Sequence, residues 1–395
     1  MKILVIMIST VLDKHVKAKP EFTAGGEKRL VEILRHMIRL GHDVTVLTTK
    51  DSGLALKEEK LGVKTVILGS FAGKFEMGNI GVILDYLYRL LCVFRERKRL
   101  KDDFDAIVTA TALLPDALAC LLFLARYRKV KCVIHLHHIF GFTYPDTKAG
   151  FLKKTRVFLF SSLSVLQQLL VIEIIKRYKI VVFALPTTAM MLSKTLNGKF
   201  IRRVENGVNL KLAGETRPVS NFEGIYIGRL SAKKGAYDLI DIWRHICDKY
   251  EHAKLAIVGS IEDPLVLKEI KAHGLELNIS FHGVVSETKK FELLKSSKVF
   301  LFPSHEEGWG IAVSEALACE IPVVAYDLPA YSYAGNSIMK VRKGNTAAFA
   351  SKVIQLLSDE KARKDLSAGT HKNVKDWSEV ARDEIAMMTE ELVVG

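Results

Sequence analysis

Two carboxylates eight residues apart, Glu307 and Glu315, bracket a Gly308-Trp309-Gly310 turn inside Val299–Ala318. The stretch predicts a strand, a glycine-rich turn and a helix. Gly308 and Gly310 allow backbone to approach a ligand closely. A helix beginning at Ile311 presents free N–H groups and the positive end of its dipole, which suits a phosphate. Glu307 falls in the loop and Glu315 about one turn into the helix, so both can face one mouth. Carboxylates repel phosphate, and their natural partners there are sugar hydroxyls.

A second segment suits the same mouth. Gly228-Arg229-Leu230-Ser231-Ala232-Lys233-Lys234-Gly235 follows the apolar run Gly224–Ile227 and leads into the next helix. Arg229 and Lys234 are spaced to offer one diphosphate a planar fork and a compact charge. In the first half, Gly25-Gly26-Glu27 precedes a helical pattern ending near Leu40. The long loop before it, from Ser9 to Thr23, carries Lys14, His15, Lys17 and Lys19 at a strand's carboxyl end and suits a ligand clamp. Ile134-His135-Leu136-His137-His138 closes a strand. Clustered histidines suggest a metal, but carboxylates at ligand spacing are missing, and no metal site is expected.

The elements that must hold these residues alternate along the chain. Strand candidates are Ile3–Ile8, Val44–Thr48, Val63–Leu68, Ala106–Thr109, Cys132–Leu136 and Ile180–Ala184. After a polar break at Asn209–Phe222 the rhythm restarts with Gly224–Ile227, Leu255–Val258, Ile279–His282, Val299–Phe302 and Pro322–Ala325. Helical patterns such as Glu27–Leu40 and Leu113–Tyr127 separate them. Strands alternating with helices imply βαβ units and parallel sheets, and near-continuous apolar strands imply sheets buried on both faces. The expected architecture is α/β, with a first Rossmann-like domain over 1–208 and a second over 209–375. A last helix, in the segment 376–395, is expected to return to the first.

With these motifs the chain resembles family 4 of the retaining glycosyltransferases, of the two-domain GT-B type. The resemblance covers nearly the whole chain. Glu307 and Glu315 match the family's E-x7-E pattern, and Glu315-Ala316-Leu317-Ala318 and Pro322-Val323-Val324-Ala325 continue it. Arg229 and Lys234 match the family's donor-diphosphate pair. The resemblance implies a UDP-sugar or GDP-sugar donor held in a cleft between the domains, with Glu307 at the sugar and Glu315 at the ribose. Gly310 and Ile311, and Gly25 and Gly26, would approach the donor. It implies retention of anomeric configuration, with no cofactor and no metal. The family's strand-end histidine near the donor sugar is His137 or His138, and the sequence leaves both open. Ile139 stands where the family usually has Asp, and Asn206-Gly207-Val208-Asn209 resembles its Asn-Gly-Val-Asp hinge segment with Asn209 in place of Asp.

Charge narrows the partners. The chain carries a net charge of +14, and 34 Lys and Arg stand against 18 Asp and Glu over residues 1–208, compared with 24 against 26 afterwards. Such asymmetry points to an anionic partner for the first half. Leu84–Lys101 combines leucines with a basic end, and its apolar side is expected mainly in the core, with an interfacial role as the alternative. Phe142–Arg156 adds Lys153, Lys154 and Arg156 beside aromatics. These features suggest peripheral docking on an anionic, cytoplasmic membrane face and a polyprenyl- or dolichyl-linked or other lipid acceptor. A nucleotide-sugar epimerase and a basic nucleic-acid-binding protein are the alternatives. The first normally lacks E-x7-E, and for the second no recognised nucleic-acid module is present, so no nucleic acid is expected. Val157–Ile175 carries Gln167, Gln168 and Glu173, too polar for a spanning helix. The five scattered cysteines predict no disulfide framework and a reducing compartment.

Overall fold

The computed structural model describes residues 1–9, 25–50, 52–53, 56, 61–69, 78–100, 103–127, 130–136, 151–196, 198 and 200–389. The chain divides into two compact units, Met1–Glu205 with Ala381–Gly395, and Asn206–Val380.

The first unit holds seven strands: β1 (Lys2–Met7), β2 (Asp43–Thr49), β3 (Lys64–Leu68), β4 (Ala106–Thr109), β5 (Lys131–Leu136), β6 (Val181–Ala184) and β7 (Ile201–Arg203). They pair in parallel in the order β3-β2-β1-β4-β5-β6-β7. β1 is buried from Ile3 to Met7, and β4 throughout, as expected of strands covered on both faces. Its helices include α1 (Gly25–Arg39), α2 (Gly78–Arg99), α3 (Leu114–Leu124) and α4 (Phe151–Tyr178). Gly25 and Gly26 are the first residues of α1.

The second unit repeats the plan with six parallel strands: β8 (Phe222–Ile227), β9 (Leu255–Val258), β10 (Ile279–Gly283), β11 (Ser297–Phe302), β12 (Val323–Tyr326) and β13 (Ile338–Val341). Their order is β10-β9-β8-β11-β12-β13. The helices that matter here are α5 (Ala236–Cys247), α6 (Glu287–Lys295) and α7 (Ile311–Ala318). Trp243 on α5 is fully buried, and a Cβ on Gly224 would lie 2.7 Å from both Trp243 and Leu301. Glycine in β8 therefore lets α5 press directly on the sheet.

The final helix, α8 (Trp377–Thr389), begins in the second unit and ends in the first. Its Glu384 is 1% exposed and forms an ion pair with Arg29 on α1. His135 of β5 completes the cluster: Nδ1 lies 2.8 Å from the Thr109 carbonyl oxygen and Nε2 3.4 Å from Glu384. Burial, then the charge of Arg29, hold His135 down at about 3, so the ring is neutral and the shorter contact takes the Nδ1 proton.

Three readings of the sequence need correction. Cys120 on α3 and Cys132 on β5 are disulfide-bonded, with Cα atoms 7.2 Å apart, because the helix packs over that strand. The apolar residues Leu84, Leu87, Leu91 and Phe94 of α2 are exposed rather than in the core. The strands β7 and β13 were not anticipated, since Arg202, Arg203 and Lys340 interrupt their apolar runs. No helix among the described residues is long and apolar enough to cross a membrane.

Candidate functional site

Each sheet changes direction once, between β1 and β4 in the first unit and between β8 and β11 in the second. In open α/β sheets, ligands bind outside the carboxyl ends of the strands at such a switch point. In the second unit the loops leaving β8 and β11 are the two segments singled out by their residue types.

The β8 loop turns through a short 3-10 segment, Ala232–Lys234, and enters α5 through Gly235, whose φ is +72°. A Cβ on Gly235 would overlap the Pro303 carbonyl at the end of β11. The two loops also share a backbone bond, His305 N–H to the Lys233 carbonyl at 3.0 Å. The buried Tyr226 hydroxyl lies 3.0 Å from the Arg229 carbonyl and 3.2 Å from that of Lys234, fixing the cation loop from beneath. Burial, followed by the Glu307 charge, raises the Tyr226 pKa well above the phenol range, so it remains a donor.

The β11 loop ends at Gly310, which has φ +83° and opens α7. A Cβ there would come within 2.7 Å of the Tyr331 ring. The Trp309 indole stacks on Tyr333 at 4.3 Å and donates to Ser314 Oγ at 2.9 Å. Ser314 Oγ lies a further 2.9 Å from the Tyr333 hydroxyl. This scaffold holds the amides at the start of α7 in fixed positions. Tyr331 is fully buried, and its hydroxyl has no hydrogen-bond partner among the described residues.

The charges are distributed in pairs. Lys234 Nζ donates to Glu307 Oε1 at 2.6 Å, with side chains 23% and 9% exposed. Arg229 pairs with Glu262 at 2.8 Å in a more open position. Glu315 pairs instead with Lys290 of α6, at 2.6 Å and almost out of solvent. The structure thus brings Glu307 to Lys234, while Arg229 and Glu315 each have a different partner. Lys290, Glu262 and Tyr331 were missed by sequence reasoning. Lys290 is 25 residues from Glu315, and no local spacing signals that contact.

In the first unit, the switch point is held by Asp116, the buried residue near the start of α3. Its carboxylate accepts from Ile8 N–H, Ser9 N–H, Ser9 Oγ and Thr111 Oγ1 at 2.6–3.1 Å. Burial nevertheless pushes its carboxyl up to about 6. His137 and His138, the Lys14–Lys19 loop, and the side chains of Lys153, Lys154 and Arg156 lie outside the described residues. No cluster of three His, Cys, Asp or Glu able to hold a metal occurs among the described residues.

Two parallel Rossmann-like sheets in this order define the GT-B class. The chain is similar over 99% of its length to Anabaena HepE in complex with UDP and glucose, covering 100% of that chain with a TM-score of 0.70 and 16% identity. Residues 23–212 match the family described as Glycosyltransferase Family 4, and residues 214–373 match Glycosyl transferases group 1. The chain belongs to glycosyltransferase family 4. It is 29% identical over 159 residues to the capsular polysaccharide biosynthesis glycosyltransferase CapM of Staphylococcus aureus, covering 40% of this chain and 42% of that one. It is 28% identical over 190 residues to the phosphatidyl-myo-inositol mannosyltransferase of Mycobacterium leprae, covering 45% of this chain and 50% of the relative. The matched regions thus span half or less of these curated relatives.

Proposed function

We propose that the chain transfers a sugar from a UDP-sugar or GDP-sugar to a hydroxyl acceptor in glycan or glycolipid assembly, with retention of anomeric configuration. The observation that carries this reading is the Lys234–Glu307 pair beside the αL turn at Gly310, at the switch point of the second sheet. When a donor arrives, its diphosphate competes with Glu307 for Lys234. Glu307, released from Lys234, accepts hydrogen bonds from the donor sugar's hydroxyls. Arg229 exchanges Glu262 for the second phosphate, which its exposed position permits. The first amides of α7, at Ile311 and beyond, face developing negative charge on the leaving diphosphate. Glu315, kept in place by Lys290, accepts from the ribose hydroxyls.

In this reading the first domain spans 1–208 with 376–395 and takes the acceptor, and the second spans 209–375 and takes the donor. Gly25 and Gly26 at the start of α1 approach the donor phosphate. His137 or His138 contacts the donor sugar. The acceptor proton passes to a phosphate oxygen of the donor, so neither a metal nor a cofactor enters the scheme. The acceptor is lipid-linked, and Lys153, Lys154 and Arg156 help hold the enzyme on the cytoplasmic face of an anionic membrane. The likeness to a phosphatidyl-myo-inositol mannosyltransferase supports the lipid part of this reading.

The test is a panel of UDP- and GDP-linked sugars with and without lipid-linked acceptors, followed by NMR of the anomeric proton in any product. Transfer with the donor's anomeric configuration supports the proposal. Inversion, or no turnover and no binding of any nucleotide sugar, overturns it.

A further inference from the structure

Two helices of the first unit carry an apolar stripe outward in addition to the apolar residues they bury, Val93 on α2 and Val171, Ile172 and Ile175 on α4. In α2 the inward side chains include Asp85 and Arg89, 4% and 2% exposed and paired with each other. Arg89 also donates to the Ile8 carbonyl at the end of β1. The outward side chains are Leu84, Leu87, Leu91 and Phe94, exposed by 43% to 65%. Their spacing of three and four residues makes one continuous stripe. In α4, Ser161 is buried at 4%, whereas Leu163, Leu166 and Leu170 are 46% to 53% exposed and again share a face. A single surface leucine is ordinary, but two such stripes on neighbouring helices mark an interaction surface.

Topology puts the stripes on one side. α2, α3 and α4 connect β3 to β4, β4 to β5 and β5 to β6, all stepping across the sheet in one direction. Right-handed crossovers then place all three on the same face. α3 packs against both of its neighbours there.

Charge completes the pattern. All three helices run against the strands, so their C-terminal ends lie along one edge. That edge carries exposed Arg95, Lys98 and Arg99 on α2 and Lys176 and Arg177 on α4. The only acids of these helices outside the core are Glu96, 2.9 Å from Arg99, and Glu173, 4.0 Å from Lys176. A second copy docking here would need opposing carboxylates that this face does not supply.

We propose that this face rests on an anionic lipid bilayer, with the leucine stripes at the acyl boundary and the basic edge at the lipid phosphates. The proposal deepens, and rests on, the membrane-facing part of the functional reading. It adds an apolar component to an attraction otherwise purely electrostatic. Screening shortens from about 10 Å at 0.1 M salt to about 3 Å at 1 M, so only the apolar component survives high salt.

Flotation with vesicles of phosphatidylglycerol and phosphatidylcholine tests this directly. The full chain is expected to bind at 0.1 M salt and to retain a bound fraction at 1 M. Leu87→Gln with Leu91→Gln, both at exposed positions, should weaken binding about tenfold or more at either salt. Arg95→Gln with Lys98→Gln and Arg99→Gln should abolish only the salt-sensitive part. A tryptophan at position 91 (Leu91→Trp) should shift its fluorescence to the blue when vesicles are added. No vesicle binding by the full chain at 0.1 M, or unchanged binding by the double leucine variant, overturns the proposal. So does a dimer that the leucine variant dissociates in the absence of vesicle binding. Hydrolysis of nucleotide sugars without lipid is measured in parallel, and its failure would count against the transferase reading while leaving the vesicle result standing.

Discussion

The Lys290 ammonium lies 2.6 Å from the Glu315 carboxylate, and the two side chains are 15% and 3% exposed. A carboxylate so far from water needs that cation. Removing one partner of a buried pair costs about 3 kcal/mol or more. Lys290→Met should therefore lower the melting temperature by on the order of 10 °C, given about 2–4 °C per kcal/mol for a domain of this size. Adding Glu315→Leu to Lys290→Met should restore much of the stability without restoring donor binding. Calorimetric melts alongside donor titrations check both halves, and a double variant that binds donor normally would take Glu315 out of the site.

The two motif carboxylates should separate kinetically. A ribose contact is made in the ground and transition states alike, so Glu315→Ala should raise the donor KM with kcat little changed. Glu307→Ala should lower kcat more strongly, because the proposed function puts its carboxylate, paired with Lys234, at the donor sugar. Arg229→Ala and Lys234→Ala should each cost about 100-fold or more in rate, as for other groups that stabilise a leaving charge. Steady-state kinetics decide, and near-normal rates in both cation variants would move the phosphate site elsewhere.

Gly310 and Gly274 form a matched comparison. Both have positive φ, +83° and +66°, but only at Gly310 would a Cβ meet another group, the Tyr331 ring at 2.7 Å. Gly274→Ala should cost about 1–2 kcal/mol of backbone strain. Gly310→Ala should cost more and should also impair donor binding, since it displaces the start of α7. Equal melting temperatures for the two variants would show that Tyr331 yields easily.

The first unit contains two buried groups with opposite pH dependence. His135 titrates at about 3 against an ordinary 6.5, so the unfolded chain takes up its proton first. Its contribution to stability is complete above pH 6.5 and is lost as pH falls towards 3. Asp116 titrates at about 6 against an ordinary 3.8, so its contribution is complete below pH 3.8 and is lost as pH rises through 6. The two trends oppose each other between pH 4 and 6. His135→Gln should make the melting temperature rise on acidification through this window relative to wild type, and Asp116→Asn should make it fall more steeply. Melts at half-unit pH intervals check the sign of each difference.

Much of this chain is legible in its sequence. Periodicity located eleven of the strands in the two main sheets because their apolar runs are nearly continuous, as in Leu255–Val258. Glu307, Gly310 and Lys234 stood out because loop chemistry is written locally, in glycines and charges at fixed offsets. Contacts made by topology were not legible. Nothing near Glu315 points to Lys290, nothing near Arg29 points to Glu384, and the Cys120–Cys132 bond depends on a helix crossing a particular strand. The outward leucines of α2 were misplaced for a related reason. Periodicity reveals that a helix is amphipathic, but here Asp85 and Arg89 pair inside together with Val93 while a second apolar stripe faces outward.

The Gly235 contact has a consequence for anyone rebuilding this enzyme. Because that glycine sits against the Pro303 carbonyl, and Lys233 bonds to His305, the segment with the cations and the segment with the carboxylates are two halves of one part. A chimaera that imports Gly228–Gly235 from a relative to alter donor preference inherits a backbone shaped to a different partner. Residues 228–235 and 303–310 should be transplanted together, and libraries that randomise one segment alone will spend most of their diversity on misfit seams.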